Sequence, residues 1–223
     1  MKKVIIMLAA MVLLAAPALA DMQVKLADSY GSTNGGEFLA TPVGTWAFTP
    51  ASLGQVTGKF ETFCVEKTEY ISFGSLYYVV SNTKAMAGGG GGGVNGDLLD
   101  VKTAYLYDKF ISGTLANYDY GTGAARVDSA DALQKVIWYI EEEENVGKTP
   151  TQAFGLATLA RKFYDDALAN ATGIGDVRVL NLYTDAAHTL VAQDQLVKIP
   201  APAAIGLGLI GLALVGWVKR RLA

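Results

Sequence analysis

Cys64 is the only cysteine in the 223-residue chain, so no disulfide within it can staple the fold. A packed apolar core must do that work instead, and with 51% hydrophobic residues the chain has the material for one. The N-terminus makes the lone thiol more telling. Lys2 and Lys3 precede an apolar stretch over 4–16, and Ala18-Leu19-Ala20 fits the small-x-small cleavage rule. Residues 1–20 therefore read as a signal peptide removed after Ala20. Exported proteins normally hold cysteines in pairs, because their compartment oxidises them. A single one is left as an intermolecular partner, a free reactive thiol, or a group committed to another bond.

The C-terminus reads as a second address. Pro200-Ala201-Pro202 is followed by an apolar run over 203–218 and then Lys219-Arg220-Arg221. The run is a little shorter than the roughly 20 residues of a spanning helix, and the basic cluster favours the cytoplasmic side. The order of proline motif, short transmembrane segment and basic end resembles the PEP-CTERM sorting signals read by exosortases in Gram-negative bacteria. Ala201 departs from that family, which usually has glutamate there. The resemblance implies a secreted, cell-surface or outer-envelope protein, held by its tail in the membrane until an exosortase-type enzyme processes it. The alternative is a permanent C-terminal anchor. Gly206-Leu207-Gly208-Leu209-Ile210-Gly211 spells G-x-G-x-x-G, but inside this apolar run it has no strand before it and reads as no dinucleotide site.

Residues 21–199 remain as one domain. Five of the 18 basic residues lie in the two terminal segments, leaving 13 against 21 acidic ones, a net of −8. Such a balance gives no footprint for nucleic acid. The single histidine, His188, excludes a histidine-rich metal site, and neither metal nor cofactor is expected. A Cys64–His188 thiol hydrolase would need an orienting partner that Asp185-Ala186-Ala187-His188, a turn-like stretch, does not supply. The chain is not expected to be an enzyme.

The pattern along the domain is α+β, a β-sheet or sandwich part with an inserted helical subdomain of about three helices. Strands are predicted over 22–27, 38–39, 45–48, 59–66, 70–80, 177–183 and 190–198. Gly31 to Gly36 reads as a turn, and the six glycines 88–93 as a flexible loop. Helices are predicted over 97–111, from Ser129 or Asp131 to about Glu142, and over 151–169. The run Glu141 to Glu144 reads as a frayed, solvated helix end, and 118–123 as a loop beside the candidate site.

Two segments carry chemistry. Phe63-Cys64-Val65 places the thiol on or beside a strand. Leu133-Gln134-Lys135-Val136-Ile137-Trp138 places a carboxamide early in a helix, with Trp138 one turn on and over the same side. A cysteine sulfur can attack a glutamine carboxamide and expel ammonia, leaving a thioester, provided the groups are held in contact and water is kept out. Phe63 and Trp138 are the expected aromatic cover. These segments resemble the aromatic-Cys-apolar and apolar-Gln-x-x-apolar-Trp motifs of bacterial thioester domains in surface adhesins. Leu133 replaces the threonine usual before the glutamine, and Tyr105-Leu106-Tyr107 is similar to the helical insert of those domains. The resemblance spans about residues 60–142. It implies an internal Cys64–Gln134 thioester and covalent capture of an amine- or hydroxyl-bearing surface protein or exopolysaccharide, that is, adhesion. The other reading is a structural envelope or biofilm-matrix protein with Cys64 inert in its core.

Overall fold

The computed structural model describes residues 22–32, 35–55, 58–86 and 95–200. The signal segment with Ala18 and Ala20, the six-glycine run, and the tail with Pro202, Lys219, Arg220 and Arg221 lie outside the described residues; Pro200 is exposed at their edge. Among the described residues no helix is long and apolar enough to cross a membrane.

The protein is α+β. Strands β1 (Gln23–Asp28), β2 (Phe38–Val43), β3 (Phe60–Thr62), β4 (Leu76–Asn82), β7 (Val177–Tyr183) and β8 (Val191–Lys198) form one sheet in the order β3-β2-β1-β4-β7-β8. Every pairing is antiparallel. The ribbon β5 (Lys84–Ala85) and β6 (Asp97–Leu98) follows β4. Helices α1 (Val101–Ile111), α2 (Ala124–Ile140), α3 (Pro150–Phe154) and α4 (Leu159–Asn170) are all inserted between β4 and β7, which pair directly.

The sheet curls until its two edges meet. Side chains from all six strands, among them Leu26, Ala40, Phe60, Val79, Leu182 and Val197, converge in one buried cluster. Just past β3, Leu196 N–H donates to Phe63 O (3.0 Å) and Val65 N–H donates to Asp194 O (3.0 Å). Edge strand β8 thereby pairs with the Phe63–Val65 segment, and Cys64 faces Gln195 across an isolated bridge. Closure of this kind removes an exposed edge.

The helices cover the opposite side of β7 and β8. Val177, Val179 and Leu196 meet Leu106, Phe110, Leu133, Ile137 and Phe163, each large apolar side chain contributing about 1.5–3 kcal/mol by burial. Helix α1 begins later than its apolar pattern suggests, because Asp100 caps it by accepting from Lys102 N–H (2.7 Å) and residues 97–98 join the ribbon. Helix α2 begins earlier than the expected Ser129 or Asp131 cap. Ser129 instead bonds back to Ala125 O (2.8 Å), the way a hydroxyl is accommodated inside a helix. The predicted 151–169 helix is two. Thr149 and Gln152 form a capping box around Pro150, Gly155 (φ 81°) ends α3, and Thr158 caps α4. Leu156, read as part of the apolar stripe, lies in that break and is 79% exposed. Residues 45–48 and 70–75 are not strands.

Candidate functional site

The edge closure dictates which way Cys64 points its peptide groups. Phe63 and Val65 spend theirs on β8, so Cys64 sits between them with its own N–H and C=O turned away from that strand. Gln134, midway along α2, fills the place a further strand would take. Its Nε2 donates to Cys64 O (2.8 Å), while Cys64 N–H donates to its Oε1 (3.2 Å). A second backbone donor, Gly36 N–H, reaches the same oxygen at 3.3 Å. These partners fix the orientation of the amide, since two N–H groups face one end and a carbonyl the other. The Cys64 Sγ lies 3.1 Å from Oε1.

The arrangement holds a thiol and a carboxamide in contact, which is what acylation of a thiol by an amide requires. Two converging N–H groups on the carbonyl oxygen form an oxyanion hole, able to hold the negative charge of a tetrahedral adduct. The thiol donates to the same carbonyl oxygen. Cys64 is fully buried and Gln134 is 1% exposed. Burial, above all, pushes the Cys64 thiol well above its ordinary pKa. Its own backbone N–H opposes this, the Glu66 charge adds to it, and the Trp138 side chain opposes it. The thiol is therefore held in its protonated form, as its hydrogen bond to Gln134 Oε1 requires.

Trp138 covers the sulfur together with Phe38 and Ile71. Its indole N–H is buried without a well-formed hydrogen bond, although it faces the thiol closely enough to favour the thiolate. Phe63 does not share in the cover, contrary to the sequence reading. Successive strand residues point to opposite faces, and its ring packs edge-on to Phe110 (5.0 Å) in the helical core. Phe38, on β2, takes the expected place.

Sequence reasoning missed the residues that complete the site. Gly35 has φ +98°, and a Cβ there would stand 2.7 Å from Trp138 Cη2 and 2.8 Å from Gln134 Cγ. Only glycine lets this turn lie on the amide and the indole. Gly36 supplies the second N–H, and Glu37 behind it is fully buried against Arg126. The signal available was the Gly35-Gly36-Glu37 step, read as no more than a turn. The 118–123 loop does stand near the site, through Tyr118 O–H donating to Glu37 (2.9 Å). Glu141 to Glu144 is not a frayed end. Glu141 is buried and accepts from Asp100 N–H (3.3 Å), Glu143 accepts from Lys67 N–H (3.2 Å), and Glu144 pairs with Lys67 Nζ (2.9 Å).

A cleft of about 530 Å³ opens over the site, floored by Gly35 and Trp138 and walled by Lys67, Tyr70, Phe73 and Lys135. Lys67 Nζ stands 5.5 Å from the centre of the Trp138 ring. Tyr70 is 81% exposed and Phe73 50%. His188 is not near this assembly of contacts; its ring packs on Tyr78 and Tyr183 in the β7–β8 turn. No family model, curated protein or solved structure matches the chain.

Proposed function

We propose that the protein is an exported surface protein that forms an internal thioester between Cys64 and Gln134 and uses it to attach covalently to a nucleophilic partner. The observation that carries this reading is the two-point clamp of the Gln134 carboxamide on the Cys64 backbone, with the sulfur 3.1 Å from the carbonyl oxygen. Attack of Sγ on the amide carbon forms the S–C bond. The oxygen takes up charge between Cys64 N–H and Gly36 N–H. The C–N bond then breaks, the thiol proton leaves with the nitrogen, and ammonia departs. Loss of ammonia to bulk solvent draws the reaction forward, and burial keeps water from the product.

The acyl group so formed reacts with an incoming amine to give a stable amide, returning the thiol to Cys64. Its approach is through the cleft above Trp138, which must shift, because the reacting atoms are covered. A neutral amine attacks without a base, whereas a hydroxyl needs one. Glu144, the carboxylate lining the cleft, is already paired with Lys67. A lysine-bearing protein or amino-substituted polysaccharide is thus the favoured partner class, and a hydroxyl-bearing polysaccharide the second. Binding is stoichiometric, without turnover. The signal peptide and sorting tail read from the sequence support the cell envelope or outer surface as the place of this event.

The intact mass of the purified chain tests the reading. It should be lighter than the sequence by one ammonia, and methylamine should add at Gln134 with release of the Cys64 thiol. Full burial of Cys64 favours one rival, an inert core cysteine in a structural envelope protein. That rival predicts an unreduced mass and no methylamine uptake.

A further inference from the structure

We infer that the buried Glu37–Arg126 ion pair is a positioning brace for acylation of Cys64, a role that rests on the thioester reading above. Arg126 and Gln134 share helix α2, eight residues and about 12 Å of helix apart. Glu37 directly follows Gly36, whose N–H is the second donor to Gln134 Oε1. The pair therefore ties the loop that carries one half of the oxyanion hole to the helix that carries the carboxamide.

The tie is rigid at both ends. Arg126 Nε donates to Glu37 Oε2 (3.0 Å) and Nη2 donates to Oε1 (2.5 Å), a two-pronged contact that fixes angle as well as distance. Tyr118 O–H donates to Oε2 at 2.9 Å. The guanidinium lies 4.0 Å over the Tyr30 ring, and Nη1 donates to Tyr120 O at 3.4 Å. Glu37 also closes the neck of its own loop, its carbonyl accepting from Gly31 N–H (2.9 Å).

Stability alone does not explain such a pair. Removing two charges from water costs energy that their attraction only roughly offsets, and apolar replacements of both partners are often neutral or stabilising. What apolar side chains do not reproduce is the fixed geometry. The Gly36 N–H must meet the oxygen of an adduct whose charge exists only while the C–N bond is breaking. One such donor is worth on the order of 10²–10³ in rate when lost outright.

The test follows closure of the thioester in the full chain. Ammonia opens the bond to the native Gln134 carboxamide and Cys64 thiol. After the ammonia is removed, intact mass follows re-closure over time, and thermal unfolding is recorded on the same samples. Glu37→Gln should close about 10- to 100-fold more slowly than the parent chain. The double replacement Glu37→Leu/Arg126→Leu should melt within a few degrees of the parent, roughly, yet close as slowly as Glu37→Gln. Tyr118→Phe, which keeps the ring and removes one hydrogen bond, should close more slowly by a smaller factor. A purely structural pair predicts instead that closure tracks melting temperature across the set. Parent-like closure in the double replacement or in all three variants overturns the brace while leaving the thioester standing. A parent chain that never loses ammonia overturns the thioester and the brace with it.

Discussion

Gly35→Ala is the most discriminating single change at this site, because two separable costs meet in one methyl group. The first is conformational. Gly35 has φ +98°, and an L-residue forced into positive φ loses roughly 1–2 kcal/mol. The second is steric. The new Cβ would stand 2.7 Å from Trp138 Cη2 and 2.8 Å from Gln134 Cγ, and overpacking of this kind costs about 1–3 kcal/mol. Together they amount to roughly 2–5 kcal/mol, or a fall of about 4–20 °C in melting temperature for a domain of this size. Gly54→Ala separates the two. Gly54 has φ +65° with nothing within 4 Å of its would-be Cβ, so only the first cost applies there. Relief of the Gly35 clash must push the indole or the carboxamide away, and a displacement near 1 Å slows an aligned reaction up to about 100-fold. Scanning calorimetry and intact mass of the two variants make the comparison. Gly35→Ala should melt below Gly54→Ala and retain more ammonia. Equal melting of the two, with equal and complete loss of ammonia, would refute the claim that the 35–36 turn is packed onto the reacting amide.

Three further outcomes are expected. Cys64→Ala should abolish both the ammonia deficit and methylamine uptake by mass spectrometry, at a stability cost of about 1 kcal/mol; uptake that survives the change would move the reactive acyl group elsewhere. Trp138→Ala should destabilise by about 3–5 kcal/mol and expose the acyl group to water. Its mass should then show hydrolysis, a glutamate at 134, in place of a lasting thioester, and a stable thioester would contradict the covering role. Glu141 is one of the pH-sensitive positions, with Asp194: burial, chiefly, raises the Glu141 carboxyl from 4.5 to about 7. A raised acid favours the folded state fully below the unfolded value and loses that contribution as pH rises through the folded one. Glu141→Gln should therefore gain about 3 kcal/mol over the parent at pH 8 and little at pH 4, measured by urea unfolding at both. A constant difference across that range would show that Glu141 ionises normally.

Local pattern and tertiary context divided the work unevenly along the chain. Strand-favouring composition located β7, whose bounds Val177–Tyr183 match the expected 177–183, and alternation put Val24 and Leu26 on one face, which the fold buries. The 3.6-residue period placed Leu133, Val136, Ile137 and Ile140 on the core side of α2, with Trp138 one turn beyond Gln134. The helix ends were less legible. Ser129 and Thr158 carry similar hydroxyls, yet one lies inside a helix and the other caps one, because the neighbouring backbone decides whether N–H groups are left over. Glu141, read from the sequence as solvated, and Arg126, not singled out there, are both buried in the fold, each held by partners distant along the chain.

From the sequence came the α+β pattern, the acidic domain between two apolar ends and, with the resemblance to thioester domains, the nomination of one thiol and one carboxamide seventy positions apart. Their contact, the second N–H from Gly36, the turning of Phe63 away from the sulfur and the brace from Arg126 belong to the tertiary structure. The physical reason is that periodicity records which face of an element avoids water, a local property. Where a peptide N–H points depends on which strand its neighbours have paired with, and here that partner is β8, some 130 residues downstream of Cys64.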